Sequence, residues 1–267
     1  MGSAVARKIL KCNLRKLVVF VRDREDLMES GLEQLAQEVA APGVLHIETL
    51  DLREPQRIEH KFNAAMMAFG GIIDTMILCH GVVVQKGLIT STIPQFDQSM
   101  LVNVRSMMHL TSLAVPFLKV QPKSSITILT SAQGTKPDPK SPVMSIASAM
   151  VQQMIKCTAL ETAFHGVRVN GVATGVINTR ARTNQQDLIG MKLTEEENRS
   201  YLDEAARDIP LAGQLNSPKE VAETILFLAS DDASFCTGEI MVVDGGQSLT
   251  TDNYDDYCAM LKSVYIE

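Results

Sequence analysis

Short apolar runs alternate with longer stretches of three-and-four periodicity along the whole chain. Leu17 to Val21, Val44 to Leu50, Ile73 to Leu78, Ile126 to Thr130, Val167 to Val172 and Glu239 to Val243 read as strands. Residues 2–12 read as a helix, as does Arg24 to Ala40 with Leu32, Leu35, Ala36 and Val39 on one side. Pro55 to Phe69 places Ile58, Phe62, Met66 and Phe69 inward and is stopped by Gly70-Gly71. Ser217-Pro218-Lys219-Glu220 is a capping box with proline at the first helical position, opening a helix with Ala222, Ile225, Leu226 and Ala229 packed. Strands that are nearly continuous in apolar residues, each followed by a helix, predict a parallel sheet covered on both faces. The expected fold is therefore α/β, a Rossmann-like doubly wound sheet in a single domain.

Two places break the pattern. On the long helix from Pro94 to about Leu118, Phe96, Met100, Asn103, Met107, Leu110 and Ala114 share one stripe. Asn103 is the polar member, so it needs a partner or a job. In the second, the strand at Ile126 ends in Ser131 and a Gly/Pro/Asp-rich loop, and a helix begins near Pro142 with Ala147, Met150, Val151 and Met154 on its buried face. That layout delivers a hydroxyl to the rim of a sheet and places residues 144 and 148 beside it. A polar segment, about 178–212, reads as a lid.

The balance of charge and aromatics narrows the partners. A net charge of -6, 4% aromatic residues and no Trp argue against a nucleic-acid surface. Five cysteines without a C-x-x-C pair fit a reducing compartment and no metal site. No apolar run suggests membrane insertion. Residues 1–22 carry six basic side chains and no acid, the pattern of a mitochondrial presequence. Ala4, Ile9 and Leu10 instead read as the packed side of a first helix, which favours a cytoplasmic protein.

From Gly166-Val-Arg-Val-Asn170 through Gly175-Val-Ile-Asn-Thr179, Glu220-Val-Ala and Leu226-Phe-Leu-Ala-Ser230 to Val242-Val-Asp-Gly-Gly-Gln247, the chain resembles the short-chain dehydrogenase/reductase family. The resemblance covers residues 1–248 and leaves 249–267 as a tail. It implies NAD(P) bound at the carboxyl ends of the strands. It implies that Asn103 and Ser131 match the family's catalytic asparagine and serine, while Met144 and Ser148 fall where its tyrosine and lysine stand. Of the family's opening strand and glycine turn, T-G-x-x-x-G-x-G, only Met1-Gly2 matches, which implies a sheet without its first strand. Either the strand-like Lys262 to Glu267, a partner chain, an upstream segment or a closed-up sheet would then fill the gap.

Gly81 and Gly175 match two further backbone positions, Ile177 and Thr179 lie near the carboxamide position, and Asp51 matches the acid facing adenine. Arg22 stands where an acid would select NAD, so any preference leans to NADP. Each has a plainer reading: Asp51 as a helix cap, Arg22 as a solvated charge and Met144 as core filler. His80 with Ser131 is a conceivable hydrolytic pair, although no strained nucleophile turn surrounds the serine.

Methionine has no proton to give an alkoxide, and a positioned acid contributes roughly 10² to 10⁴ in rate. The expectation is thus a catalytically inactive, structural or interaction subunit of a larger assembly, with no cofactor, or NADP if any. It would contact protein partners or its own copies through helices 94–118 and 142–164 and tail 251–267, with Met100, Met107, Met150 and Met154 as contact or core. The alternative is an NAD(P)-dependent oxidoreductase acting on a carbonyl or alcohol.

Overall fold

The structure is a computed structural model and describes every residue except 13, 40–42, 180–193, 212–213, 251–255, 257–258 and 261–267. Among the described residues the strands form two parallel sheets. In one, β1 (Leu17–Val21) pairs with β2 (Leu45–Thr49); in the other, β3 (Thr75–Leu78), β4 (Ser124–Ser131), β5 (Val167–Thr174) and β6 (Ile240–Val243) lie side by side in chain order. The register runs Ile126 beside Val169 and Ser131 beside Thr174. The loops after β3, β4, β5 and β6 therefore emerge at one edge.

The connecting segments are helical, as α/β alternation requires. They are α1 (Gly2–Ile9), α2 (Arg24–Ser30), α3 (Leu32–Val39), α4 (Pro55–Ala68), α5 (Ile93–Met100), α6 (Ser106–Leu118), α7 (Pro142–Thr162), α8 (Glu195–Arg207) and α9 (Pro218–Ala229). On one side of the larger sheet, Ile126, Ile128 and Val169 pack against Ile58 and Phe62 of α4, Leu110 and Ala114 of α6, and Val151 and Ile155 of α7. On the other, Val172 and Leu129 meet Val5 of α1 and Val221, Ile225 and Leu228 of α9. Both faces are covered, as the apolar strands predict.

No ladder joins β1 to β3 among the described residues. The two sheets are held instead by shared side-chain clusters. Val18 and Phe20 of β1 pack into the same cluster as Met76 and Leu78 of β3, while Leu17 and Val19 turn to Ala6 and Leu10 of α1 and Leu32 of α3. The strand-like segment 262–267 lies outside the described residues, as do parts of the lid and tail.

Several expectations need correction. Arg24 to Ala40 is two helices, because Gly31 takes φ 58° as a left-handed cap and its N–H closes on the Met28 carbonyl. The helix at 93–118 contains a π-turn at Leu101–Arg105 that includes Asn103. Met150 is 48% exposed rather than packed, and Met107 is core at 3%. Pro142–His165 is long and apolar enough to cross a bilayer, contrary to the reading of the apolar runs. It packs here as a central helix, burying Val143, Ala147, Val151, Ile155 and Ala159.

Candidate active-site cleft

A cleft of about 500 Å³ opens where β3, β4, β5 and β6 end, within the range of small-molecule sites. Its floor is Cys79 to Gly81, Thr130 to Ala132, Thr174-Gly175 and Asp244, and one wall is Met144, Ala147 and Ser148 of α7. A further part of the lining is one face of α8 and its C-cap, Tyr201, Glu204, Ala205 and Asp208 at spacings of three, one and three. A capping box between Thr194 and Glu197 fixes where α8 begins, and buried Leu202 and Ala205 hold it down.

Ser131 ends β4 and caps the 3₁₀ turn that follows. Its Oγ accepts the Gln133 N–H at 3.2 Å and reaches the Thr174 carbonyl only at 3.4 Å. From nearly three turns into α7, buried Gln152 donates through Nε2 to the Ser131 carbonyl at 2.8 Å. Gly134 permits this approach: a Cβ there would lie 2.5 Å from Gln152 Nε2 and 2.9 Å from the Ala149 nitrogen. Sequence reasoning passed over Gln152, although a glutamine on the apolar side of α7 was a signal of the same kind as Asn103.

Asn103 has a job. Its Oδ1 accepts the Val82 N–H at 2.7 Å, while Nδ2 donates to the Val82 carbonyl at 2.8 Å and to Ser99 Oγ at 3.0 Å. Met144 Sδ lies 3.8 Å from the same Nδ2. The amide is thus committed to the loop after β3, which it fixes as a wall of the cleft. Ser148 is 2% exposed, and its Oγ is among the buried polar atoms without a partner. A buried hydroxyl left unpaired is unfavourable by about 1–3 kcal/mol.

Burial holds the His80 imidazole down at about 4, and its Nε2 lies 2.8 Å from Ser106 Oγ. The conceived pair with Ser131 is not among its bonds. Burial likewise pushes the Cys79 thiol up to about 11. At the rim, Lys140 Nζ bonds Glu204 Oε1 at 2.7 Å, which raises the lysine pKa and lowers that of the glutamate.

Gly81, Gly175, Ile177 and Thr179 line the same cleft, whereas Gly2, Arg22 and Asp51 do not. A Cβ on Gly175 would come within 2.7 Å of Gln247 Oε1 and 2.8 Å of Asp244 Cβ, so glycine is demanded there by packing alone. Asp51 does not cap α4: its Oδ1 accepts the Arg53 N–H at 2.9 Å, and its Oδ2 pairs with the Arg53 guanidinium at 2.6 Å. Arg22 pairs with Asp23 at 2.6 Å and Asp26 at 3.4 Å.

A parallel sheet wrapped on both faces, with its cleft beyond the carboxyl ends of the strands, is the architecture of a Rossmann-like nucleotide-binding protein. The chain belongs to the short-chain dehydrogenase/reductase family, and residues 1–248 match the family model described as enoyl-(acyl carrier protein) reductase. It is 29% identical to the 3-oxoacyl-(acyl-carrier-protein) reductase FabG of Thermotoga maritima over 222 residues, 83% of this chain and 85% of that one. It is 33% identical to a 7alpha-hydroxysteroid dehydrogenase of Bacteroides fragilis over 58% of this chain and 55% of that one. With a 2-keto-3-deoxy-L-fuconate dehydrogenase of Xanthomonas campestris it shares 27% over 84% and 70%. These relatives carry the names of reductases and dehydrogenases over most of the chain. They overturn the expectation of an inactive structural subunit, which rested on the residue types at 144 and 148 and on the missing glycine turn.

Proposed function

We propose that the protein is an NAD(P)-dependent oxidoreductase that interconverts a carbonyl compound and an alcohol. The observation that carries this reading is the unpartnered hydroxyl of Ser148, buried in the same cleft as Ser131. A ribose hydroxyl both donates and accepts, so a bound dinucleotide fits that orphan and relieves its cost. When bound, the reduced nicotinamide supplies hydride to the carbonyl carbon. Ser131, whose Oγ accepts from Gln133 and donates only over 3.4 Å to the Thr174 carbonyl, turns its proton to the carbonyl oxygen and orients it. Gln152 holds the Ser131 backbone in place, and Asn103 keeps the wall after β3 rigid. Met144 and Ser148 stand at the positions of the family's tyrosine and lysine, so neither the acid nor the cationic ribose anchor comes from α7.

Arg22 directly follows β1 and is shared between Asp23 and Asp26. A 2′-phosphate would compete for that guanidinium, and on this ground the cofactor is NADP rather than NAD. Self-association through α6 and α7 is part of the same proposal. Ile146, Met150, Leu160 and Phe164 leave an exposed apolar stripe along α7 and its 3₁₀ extension, and Met108 of α6 is also exposed.

Calorimetric titration with NADPH and NADH, followed by turnover on a panel of ketones and aldehydes, tests the reading. Saturable binding that favours NADPH is expected. No saturable binding of either nucleotide would sink it.

A further inference from the structure

A π-turn changes which atoms a helix offers. At Leu101–Arg105 the Ser106 N–H closes on the Leu101 carbonyl, five residues back. The Ser106 hydroxyl takes up the Val102 carbonyl instead, at 2.6 Å. A serine has one proton to donate, and this one is committed to Val102. His80 Nε2 lies 2.8 Å from the same Oγ, so the imidazole is the donor in that contact. The proton of the neutral ring is therefore on Nε2, and Nδ1 carries a bare lone pair. Burial, which holds the ring at about 4, keeps it neutral at physiological pH. Nδ1 has no hydrogen-bond partner among the described residues, and His80 is partly exposed where it lines the cleft.

The surroundings of that lone pair select its donor. Leu78 pairs with Ile128, which sets His80 level with Thr130 on a strand about 4.8 Å away. Cys79 packs toward α1 and α9, so by strand alternation His80 turns to the α6 and α7 side, where Ser106 meets it. Thr130 faces that side too, its Oγ1 donating to the Ser148 carbonyl at 3.4 Å. The lone pair of His80 and the orphan hydroxyl of Ser148 thus belong to the same part of the cleft. A ligand that answers both carries neighbouring hydroxyls, as a ribose does. An unprotonated carbonyl, carboxylate or phosphate oxygen has no proton to give Nδ1. Two other titratable groups of the cleft stand apart: the Met1 amine lies by Cys79 on the opposite face of β3, and Asp208 is exposed at the C-cap of α8.

We propose that His80 is a nucleotide-binding residue, its Nδ1 accepting a hydrogen bond from a ribose hydroxyl beside the one that Ser148 holds. The inference rests on the oxidoreductase reading. With no lysine on α7 at that place, the sugar is anchored by two neutral groups, one from the end of β3 and one from α7. The π-turn aims the first of them, because Ser106 fixes both the tautomer and the direction of the ring.

The test begins without a ligand. In protein carrying ¹⁵N-labelled histidine near neutral pH, the His80 signals, assigned by their loss in His80→Gln, should report a neutral ring protonated on Nε2. Saturating NADPH should move the Nδ1 resonance upfield, as happens when a ring-nitrogen lone pair gains a hydrogen bond. Glutamine keeps a donor for Ser106 but has no acceptor at the Nδ1 position, which separates the structural bond from the binding one. His80→Gln should therefore fold as the parent does and bind NADPH about 3- to 10-fold more weakly in calorimetry. A proton on Nδ1 in the free protein, or an Nδ1 resonance indifferent to NADPH, overturns the assignment while the oxidoreductase reading stands. So does a folded His80→Gln protein whose NADPH Kd stays within about twofold of the parent. Failure of the parent protein to bind NADPH overturns both.

Discussion

Asn103 grips Val82 by both ends of its amide, accepting the Val82 N–H at 2.7 Å and donating to the Val82 carbonyl at 2.8 Å. The pair bonds as a strand neighbour would, yet the partner is a helix side chain within a π-turn. Such π-turns are frequent at functional sites. Asn103→Ala leaves two buried backbone groups unpaired and should destabilise the fold by roughly 2–4 kcal/mol in denaturant titrations. Loosening the wall after β3, it should also weaken nucleotide binding. An unchanged midpoint would show that water replaces the amide.

Ser148→Ala should act in opposite directions on stability and binding. Removing a hydroxyl that is buried without a partner should stabilise the ligand-free protein, by about 1 kcal/mol in thermal melts. The same change should weaken NADPH binding by about 3- to 10-fold in calorimetry, the worth of one hydrogen bond. Loss of both stability and affinity would mean that the hydroxyl is already satisfied.

Stability should fall as the medium becomes acid, with His80 contributing. Its folded-state value, about 4, lies below the ordinary 6.5. The unfolded chain therefore binds the proton first, and the contribution is full above 6.5 and lost as pH falls through 4. Discounting the shift for water at the cleft, the change is about 2 kcal/mol. Replacement of His80 by Gln, which can still bond Ser106, should flatten the stability curve between those limits. An equally steep curve would assign the acid transition to other groups.

The exposed stripe of α7 should bury itself in a second copy. Leu160 and Phe164 are 81% and 80% exposed. Replacing both by Asp should convert a dimer to monomers in light scattering with little change in the far-UV spectrum. A parent protein that is monomeric at micromolar concentration would refute the contact.

Where side chains face an apolar core, the sequence was a good guide. Leu17–Val21 is a strand to the residue, and the Ser217 capping box closes as its spacing predicts, Ser217 N–H to Glu220 at 2.7 Å. Asn103 announced itself by being polar on an apolar stripe. The break at Gly31 and the π-turn did not, because hydrophobic spacing hardly changes when one residue turns left-handed or one hydrogen bond lengthens by a residue. The wall formed by α8 was also hidden. Its inward face meets a wet cleft, so Tyr201, Glu204 and Asp208 follow helical spacing without an apolar stripe to reveal it. Met150 was placed inward with Val151, but the buried face of α7 runs through Ala147, Ser148, Val151 and Gln152 and leaves Met150 outside it. The inactive reading, drawn from residue types at two positions of α7 and from a missing glycine turn, was overturned by the reductases and dehydrogenases that match most of the chain.

The division between β1–β2 and the four-stranded sheet bears on how the molecule opens. With no backbone ladder across it among the described residues, the boundary is held by side chains such as Phe20 and Leu78. Side-chain contacts yield to local fluctuation without the cooperative release that a hydrogen-bonded register imposes. The amides of Leu17–Val21 and Leu45–Thr49 should accordingly exchange with solvent as one early block, while those of Ser124–Ser131 and Val167–Thr174 wait for global unfolding.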